Sequence, residues 1–145
     1  MKLKIAIAAV CGALVAGALR SDVRMSAQEK SQWDGVYTEE QATRGDDLYA
    51  KQCAACHGAD MSGGEQAPSL TGAEFMASWD GLAVGDLFER IQLSMPQTNP
   101  GSLTGQQNAD IIAAILRKGG FPAGKAEIPP QAKAMSGHKL LAKKP

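Results

Sequence analysis

The sequence predicts a small all-α domain of about three or four helices, and three observations lead to that prediction. Two Thr-x-x-Gln strings each stand before apolar residues at helical spacing. No run of alternating apolar and polar residues, which would indicate a strand, flanks the central pair of cysteines. The aromatic residues are few, with 3 Phe, 2 Trp and 2 Tyr among 145 residues, so we expect another group to fill space in the core.

The length of the chain favours a single domain, whose charge changes along the sequence. Residues 28–110 hold 13 Asp or Glu and 4 Lys or Arg, whereas residues 111–145 hold 7 Lys or Arg and 1 Glu. The body is therefore acidic and the C-terminal end basic. A nucleic-acid partner would need basic residues across a folded face, so we exclude that class of partner. No Ser/His/Asp set, phosphate loop or paired carboxylates indicate an organic substrate site.

The N-terminus has the pattern of an export signal. Lys2 and Lys4 precede the uncharged residues 5–19, a run too short for the roughly 20 apolar residues of a membrane span. We therefore expect residues 1–27 to be a signal peptide, cleaved after Ala18 or after Ala27, and a periplasmic or otherwise exported protein. An uncleaved membrane anchor stays open as the alternative. Cys11 would be lost with the signal.

The helices are predicted from caps and apolar spacing, taken in chain order. Thr38 and Gln41 form a capping box for a helix over about residues 39–54. Residues 58–72 and 78–85 are predicted as loop and turn, and about residues 86–94 as a short helix with Leu87, Phe88 and Ile91 along one side. Thr104 and Gln107 form a second capping box, for a helix that runs to about residue 118. We expect a domain over residues 28–130, followed by a basic, solvated and mobile tail over residues 131–145.

The chemistry is concentrated in the string Cys53-Ala54-Ala55-Cys56-His57. C-x-x-C-H is the attachment signature of c-type haem, because thiols three residues apart share one face of a helical turn and can reach two vinyl groups. His57 would then bind the iron. A redox-active dithiol uses the same cysteine spacing, and a zinc site would need four ligands. The sequence favours one covalent haem over both.

Three methionines are candidates for the second iron ligand. Met61 is too close in sequence to His57 to reach the opposite face of a haem, and Met76 lies beside Phe75, as expected of a core residue. Met95 follows a short helix and precedes Pro96 and an Asn-Pro-Gly turn, so a rigid loop can hold it. We predict Met95, with His138 or an open site as alternatives. His/Met ligation suits electron transfer, whereas an open site suits peroxide or gas chemistry.

With these motifs, residues 36–122 resemble a class I, mitochondrial-type c-type cytochrome. The resemblance rests on Gly45 and Tyr49 before the attachment string, on the Pro-Ser-Leu-Thr-Gly string that begins at Pro68, on Met95-Pro96 and on the final helix. It implies that Gly45 permits close helix packing and that the Pro68 carbonyl accepts the Nδ1 proton of His57. It also implies that Trp79 covers a haem edge or propionate, with an ordinary core tryptophan as the alternative. An aromatic residue that the family commonly has near Ala114 is missing.

The resemblance also indicates a function and a kind of partner. It implies a single-haem carrier of electrons between redox proteins rather than an enzyme, with electrons entering near Ala54, Ala55, Gln97 and Thr98. The segments around Trp79, Met95 and residues 110–122 are similar to cytochromes that accompany pyrroloquinoline-quinone (PQQ) alcohol dehydrogenases. A quinoprotein dehydrogenase or a terminal oxidase is therefore the expected partner, with a membrane only if the N-terminal segment is uncleaved. The alternatives are a haem enzyme or gas sensor with a labile ligand, and a fixed cytochrome subunit of a dehydrogenase complex.

Overall fold

The computed structural model describes residues 30–145, which form an all-α domain, as the sequence predicts. The five helices are α1 (Glu39–Gln52), α2 (Ala54–His57), α3 (Gly72–Trp79), α4 (Val84–Ser94) and α5 (Gly105–Lys118). Two strands of two residues, β1 (Lys30–Ser31) and β2 (His138–Lys139), make a small parallel sheet. Within residues 30–145, the helices are too short or too polar to span a bilayer. The predicted signal peptide lies outside the described residues.

The two capping boxes have different outcomes. Thr104 and Gln107 satisfy each other's backbone amides, at 3.2 and 2.9 Å, as predicted. Thr38 likewise accepts from the backbone N–H of Gln41 at 3.2 Å, but the side chain of Gln41 does not return to the cap. It is fully buried and bonds the backbone of Ile128 instead. The first capping box is therefore only half formed, because a buried backbone segment needs the amide of Gln41 more than an exposed helix end does.

Helices α1 and α5 cross closely at Gly45. A Cβ built on Gly45 would overlap the carbonyl oxygen of Asp110 and lie 2.9 Å from the Cβ of Ala114. The close packing that the resemblance implies is therefore confirmed, without an aromatic residue near Ala114. Small residues on both helices bring the two backbones together. Beside them, Arg44 forms a bidentate ion pair with Asp110, whose carboxylate is almost fully buried.

The middle of the chain contains one helix that the sequence analysis missed. Residues 72–79 form α3, so Ser78 and Trp79, predicted in a turn, lie in its last turn. The next helix, α4, begins at Val84, two residues before the predicted start, because the Asp86 carboxylate accepts from the N–H of Ala83 at 2.8 Å. Its predicted apolar side is confirmed, since Leu87, Phe88 and Ile91 are all buried.

Residues 121–145, here called the C-terminal segment, wrap around the domain. Its first part bonds Tyr37, which donates its hydroxyl to the Phe121 carbonyl at 2.7 Å. Its last part pairs His138 with Lys30 and buries Leu140 completely. The amide of Gln32 bonds both the N–H and the carbonyl of Leu141, at 2.9 and 2.7 Å. These contacts correct the expectation of a solvated, mobile tail over residues 131–145, because a basic composition does not prevent the apolar residues within it from being buried.

Candidate haem-binding site

A break between two helices presents the attachment string. Helix α1 ends at Gln52, and Cys53 takes φ −125° and ψ −37° before the single turn of α2 begins. The N–H of His57 donates to the Cys53 carbonyl at 3.0 Å, which closes that turn. Cys53 and Cys56 thus stand one helical turn apart, as attachment to two neighbouring vinyl groups requires.

Tyr49 links this turn to α1. Its hydroxyl donates to the Gly58 carbonyl at 2.6 Å, and burial raises the pKa of Tyr49 to about 12. The phenol therefore stays protonated and keeps donating at any physiological pH. The hydrogen bond gives a structural reason for the Tyr in the G-x3-Y-x3-C-x2-C-H pattern, since it fixes the end of α2 against the helix before it.

The loop between α2 and α3 brings Pro68 to His57. His57 is 7% exposed, and its Nδ1 lies 2.8 Å from the Pro68 carbonyl oxygen. A carbonyl can only accept a hydrogen bond, so Nδ1 carries the proton and Nε2 is the nitrogen left for a metal. Gly63, with φ +80°, lets the loop fold this tightly, because a Cβ there would approach the backbone of Pro68 to 2.7 Å. No motif in the sequence marks Gly63 for this role.

The two cysteines are free thiols in different surroundings. Cys56 is exposed, whereas Cys53 is half-buried, and burial raises the pKa of its thiol to about 11. Reactive C-x-x-C pairs lower the pKa of their first cysteine to generate a thiolate, and Cys53 is shifted in the opposite direction. Burial therefore works against the thiolate that a reactive dithiol would need at Cys53.

Met95 lies where α4 ends. Its N–H donates to the Ile91 carbonyl at 2.9 Å, and its side chain is half-buried against the core. The N–H of Asn99 donates to the Pro96 carbonyl at 2.9 Å, and the N–H of Ser102 donates to the Asn99 carbonyl at 3.3 Å, which closes the predicted Asn-Pro-Gly turn. Of the other two methionines, Met61 and Met76 are both buried in the core, as expected for Met76.

The remaining predicted residues lie at the edge of the core. Trp79 is half-buried at the end of α3, with its ring centroid 6.1 Å from that of Phe75. His138 lies in β2, opposite Lys30. The structure therefore joins His57 and Pro68 directly and places Met95 directly after α4 and Trp79 at the end of α3. The roles of Pro68, Trp79 and Met95 toward a haem stay predictions.

The donor set fits a covalently attached haem. Such a group needs two free thiols one helical turn apart and an imidazole whose nitrogens are differentiated by a hydrogen bond. Cys53, Cys56 and His57 supply these features. In residues 30–145 there is no group of three or more His, Cys, Asp or Glu side chains arranged to hold a bare metal ion.

The helical fold with the C-x-x-C-H turn defines the chain as a class I c-type cytochrome. It belongs to the family described as cytochrome c oxidase, cbb3-type, subunit III, whose model matches residues 40–115. A cytochrome c domain of this kind serves electron transfer through haem c.

The chain is similar to a chain in the crystal structure of the sulfane dehydrogenase SoxCD from Paracoccus pantotrophus, with 22% identity and a TM-score of 0.45. That match covers 66% of this chain and 55% of the other, so this chain spans about half the length of the solved relative. No curated protein matches the sequence.

Proposed function

We propose that this chain is an exported single-haem cytochrome that carries electrons one at a time between redox proteins. Its haem is attached through Cys53 and Cys56, and its iron is bound by His57 and Met95. The observation that carries the proposal is the contact between His57 Nδ1 and the Pro68 carbonyl at 2.8 Å. This contact holds Nε2 ready to bind iron and makes the imidazole a stronger ligand.

The chain's own residues provide what such a carrier needs. Bound haem supplies an iron that changes by one electron between two oxidation states. Thioether bonds through Cys53 and Cys56 would prevent loss of the group, and His57 and Met95, both bound to the iron, would leave no position open for peroxide or gas chemistry. Ala55, Gln97 and Thr98 are exposed and Ala54 half-exposed, so they offer a small uncharged contact for a partner protein.

Attachment is tested by haem staining of the denatured protein, purified from a host that matures c-type cytochromes. Wild type should retain the stain, whereas the double variant Cys53→Ala, Cys56→Ala should lose it. A colourless wild type with two titratable thiols would contradict the proposal.

Methionine ligation is tested by the weak far-red absorption band of the oxidised protein, which reports sulfur bound to iron. Met95→Leu should abolish the band and open the iron to cyanide or carbon monoxide. Met61→Leu and Met76→Leu are the matched controls and should retain it. Absence of the band in wild type would favour the haem enzyme or gas sensor, and retention in Met95→Leu would transfer the ligand role to another residue.

Export is proposed from Lys2, Lys4 and the uncharged residues 5–19. Cell fractionation and N-terminal sequencing of the mature protein test it. A protein that starts after Ala18 or Ala27 and is found in the periplasm is the expected result. A full-length protein in the membrane fraction would indicate an anchor.

A second candidate function is a fixed subunit of a redox complex. The matching family model describes a subunit of an oxidase, which favours this candidate, and the resemblance to quinoprotein-associated cytochromes points to a dehydrogenase. Size-exclusion chromatography of the native material separates the two functions, because a free carrier elutes at the size of the monomer and a subunit elutes with its partner.

A further inference from the structure

Gln92 connects the last turn of α4 to the far end of the loop that follows it. This loop, residues 95–103, is called the Met95 loop here. The Gln92 side chain is half-buried, and its Nε2 donates to the Leu103 carbonyl at 2.8 Å. Leu103 is 5% exposed, so the bond holds the end of the loop inside the protein. Gln92 also stands three residues before Met95, the residue that directly follows α4.

Asn108 on α5 extends this connection. It is fully buried, and its Nδ2 donates to the Phe88 carbonyl at 2.9 Å and lies 3.4 Å from Gln92 Oε1. Because backbone carbonyls only accept, Phe88 fixes the direction of the Asn108 amide and Leu103 fixes that of Gln92. The two amides thus form a directed chain from α5 through α4 to the Met95 loop.

The oxygen of the Asn108 amide lowers the stability of the folded protein. This atom, Oδ1, is buried and has no hydrogen-bond partner among the described residues. Leaving a buried acceptor unpaired costs about 1–3 kcal/mol, whereas an apolar residue of similar shape would avoid that cost. The contacts of Nδ2 with Phe88 and Gln92 offset this cost, and the second of them orients the amide of Gln92.

We propose that Gln92 and Asn108 are positioning residues that hold the Met95 loop and set the rate at which Met95 leaves the iron. The inference rests on the proposed function, because it requires Met95 as the ligand. For the sulfur to leave, the loop would have to shift, and a loop with an additional anchor at its far end shifts less readily. Losing the Gln92 bond removes that anchor and leaves the burial of Leu103 to hold the far end.

The experiment measures cyanide binding to the oxidised holoprotein by stopped flow. At high cyanide concentration the rate saturates at the rate of methionine dissociation. Gln92→Leu keeps the volume and removes the donor, and the saturating rate should rise about tenfold, as expected for one lost hydrogen bond of about 1.4 kcal/mol. Gln131→Leu is the matched control, since Gln131 is exposed and donates no side-chain bond to the described residues. Its rate should equal that of wild type.

One outcome would overturn the ligation by Met95, and two would overturn the positioning role. A wild type without the far-red band, whose cyanide rate does not saturate, would overturn Met95 ligation itself. A normal wild type with a Gln92→Leu rate within twofold would overturn the positioning role alone. So would an increase matched by an equal increase in the rate of global unfolding, because that result would show a purely structural glutamine. Asn108→Asp, which replaces the donor by an acceptor, should change the rate in the same direction as Gln92→Leu.

Discussion

The crossing of α1 and α5 is built from small residues that let two helices approach, whereas the C-terminal segment is held by side chains that bond its backbone. At the crossing, Gly45 meets Asp110 and Ala114. Along the C-terminal segment, Gln41 bonds both backbone groups of Ile128, at 3.0 and 2.8 Å, and Gln32 does the same for Leu141. Regular helices satisfy their own backbone, but an irregular buried segment needs such partners from elsewhere.

Substitution at the crossing should lower the free energy of unfolding more than substitution in the C-terminal segment. Gly45→Ala would force the Asp110 carbonyl away from its position, and we expect a loss of about 3 kcal/mol in the free energy of unfolding, as in strong overpacking. Denaturant unfolding of the holoprotein measures it. Gly137→Ala is the control, because a Cβ at Gly137 meets nothing within 4 Å. Equal stability of the two variants would show that α1 and α5 can move apart without lowering the free energy of unfolding.

The next largest effect is expected in the C-terminal segment, at Leu140. The side chain of Leu140 is 0% exposed, while that of Leu82, its backbone partner, is 44% exposed. Leu140→Ala should therefore lower the free energy of unfolding by about 2 kcal/mol through the cavity that it leaves. Leu82→Ala should change it much less in the same unfolding experiment. A neutral Leu140→Ala would restore the interpretation of residues 131–145 as a solvated tail.

A smaller loss is expected when one glutamine contact is removed. Gln41→Leu leaves the N–H and carbonyl of Ile128 buried without their partner, so we expect a loss of about 1.5 kcal/mol. The exposed Gln131→Leu provides the control for the chemical change. Hydrogen exchange at the Ile128 amide should accelerate in Gln41→Leu only. Unchanged protection there would mean that water or another group replaces the glutamine.

The same contrast explains what could be predicted from the sequence. Helices α1 and α5 have local signals, in their caps and their apolar spacing, and the C-x-x-C-H motif is contiguous. Helix α3 has eight residues and starts at a glycine after a loop rich in Gly, Ser and Pro. It is therefore too short to show a helical period that the sequence would reveal. The contacts of Gln32 and Gln41 span about 90 to 110 positions. Nothing in the local sequence distinguishes these glutamines, or Gln92, from a surface residue.

The smallest effect concerns the protonation of His138 in the C-terminal segment. Its Nδ1 is buried and has no hydrogen-bond partner among residues 30–145. Burial lowers the pKa of His138, and the charge of Lys30 across the sheet lowers it further, with Asp34 acting in the opposite direction. In the unfolded chain His138 has its ordinary pKa of about 6.5. In the folded protein His138 takes up a proton only at a lower pH. The contribution of His138 to the free energy of unfolding should be constant above pH 6.5 and should decrease as the pH falls below that value. The decrease should be smaller than the loss in Gln41→Leu.

Unfolding of wild type and of His138→Asn from pH 8 to pH 5 measures this pH dependence. We expect the variant to lose less stability on acidification than wild type, and parallel pH profiles would show that His138 is protonated equally in the folded and unfolded states.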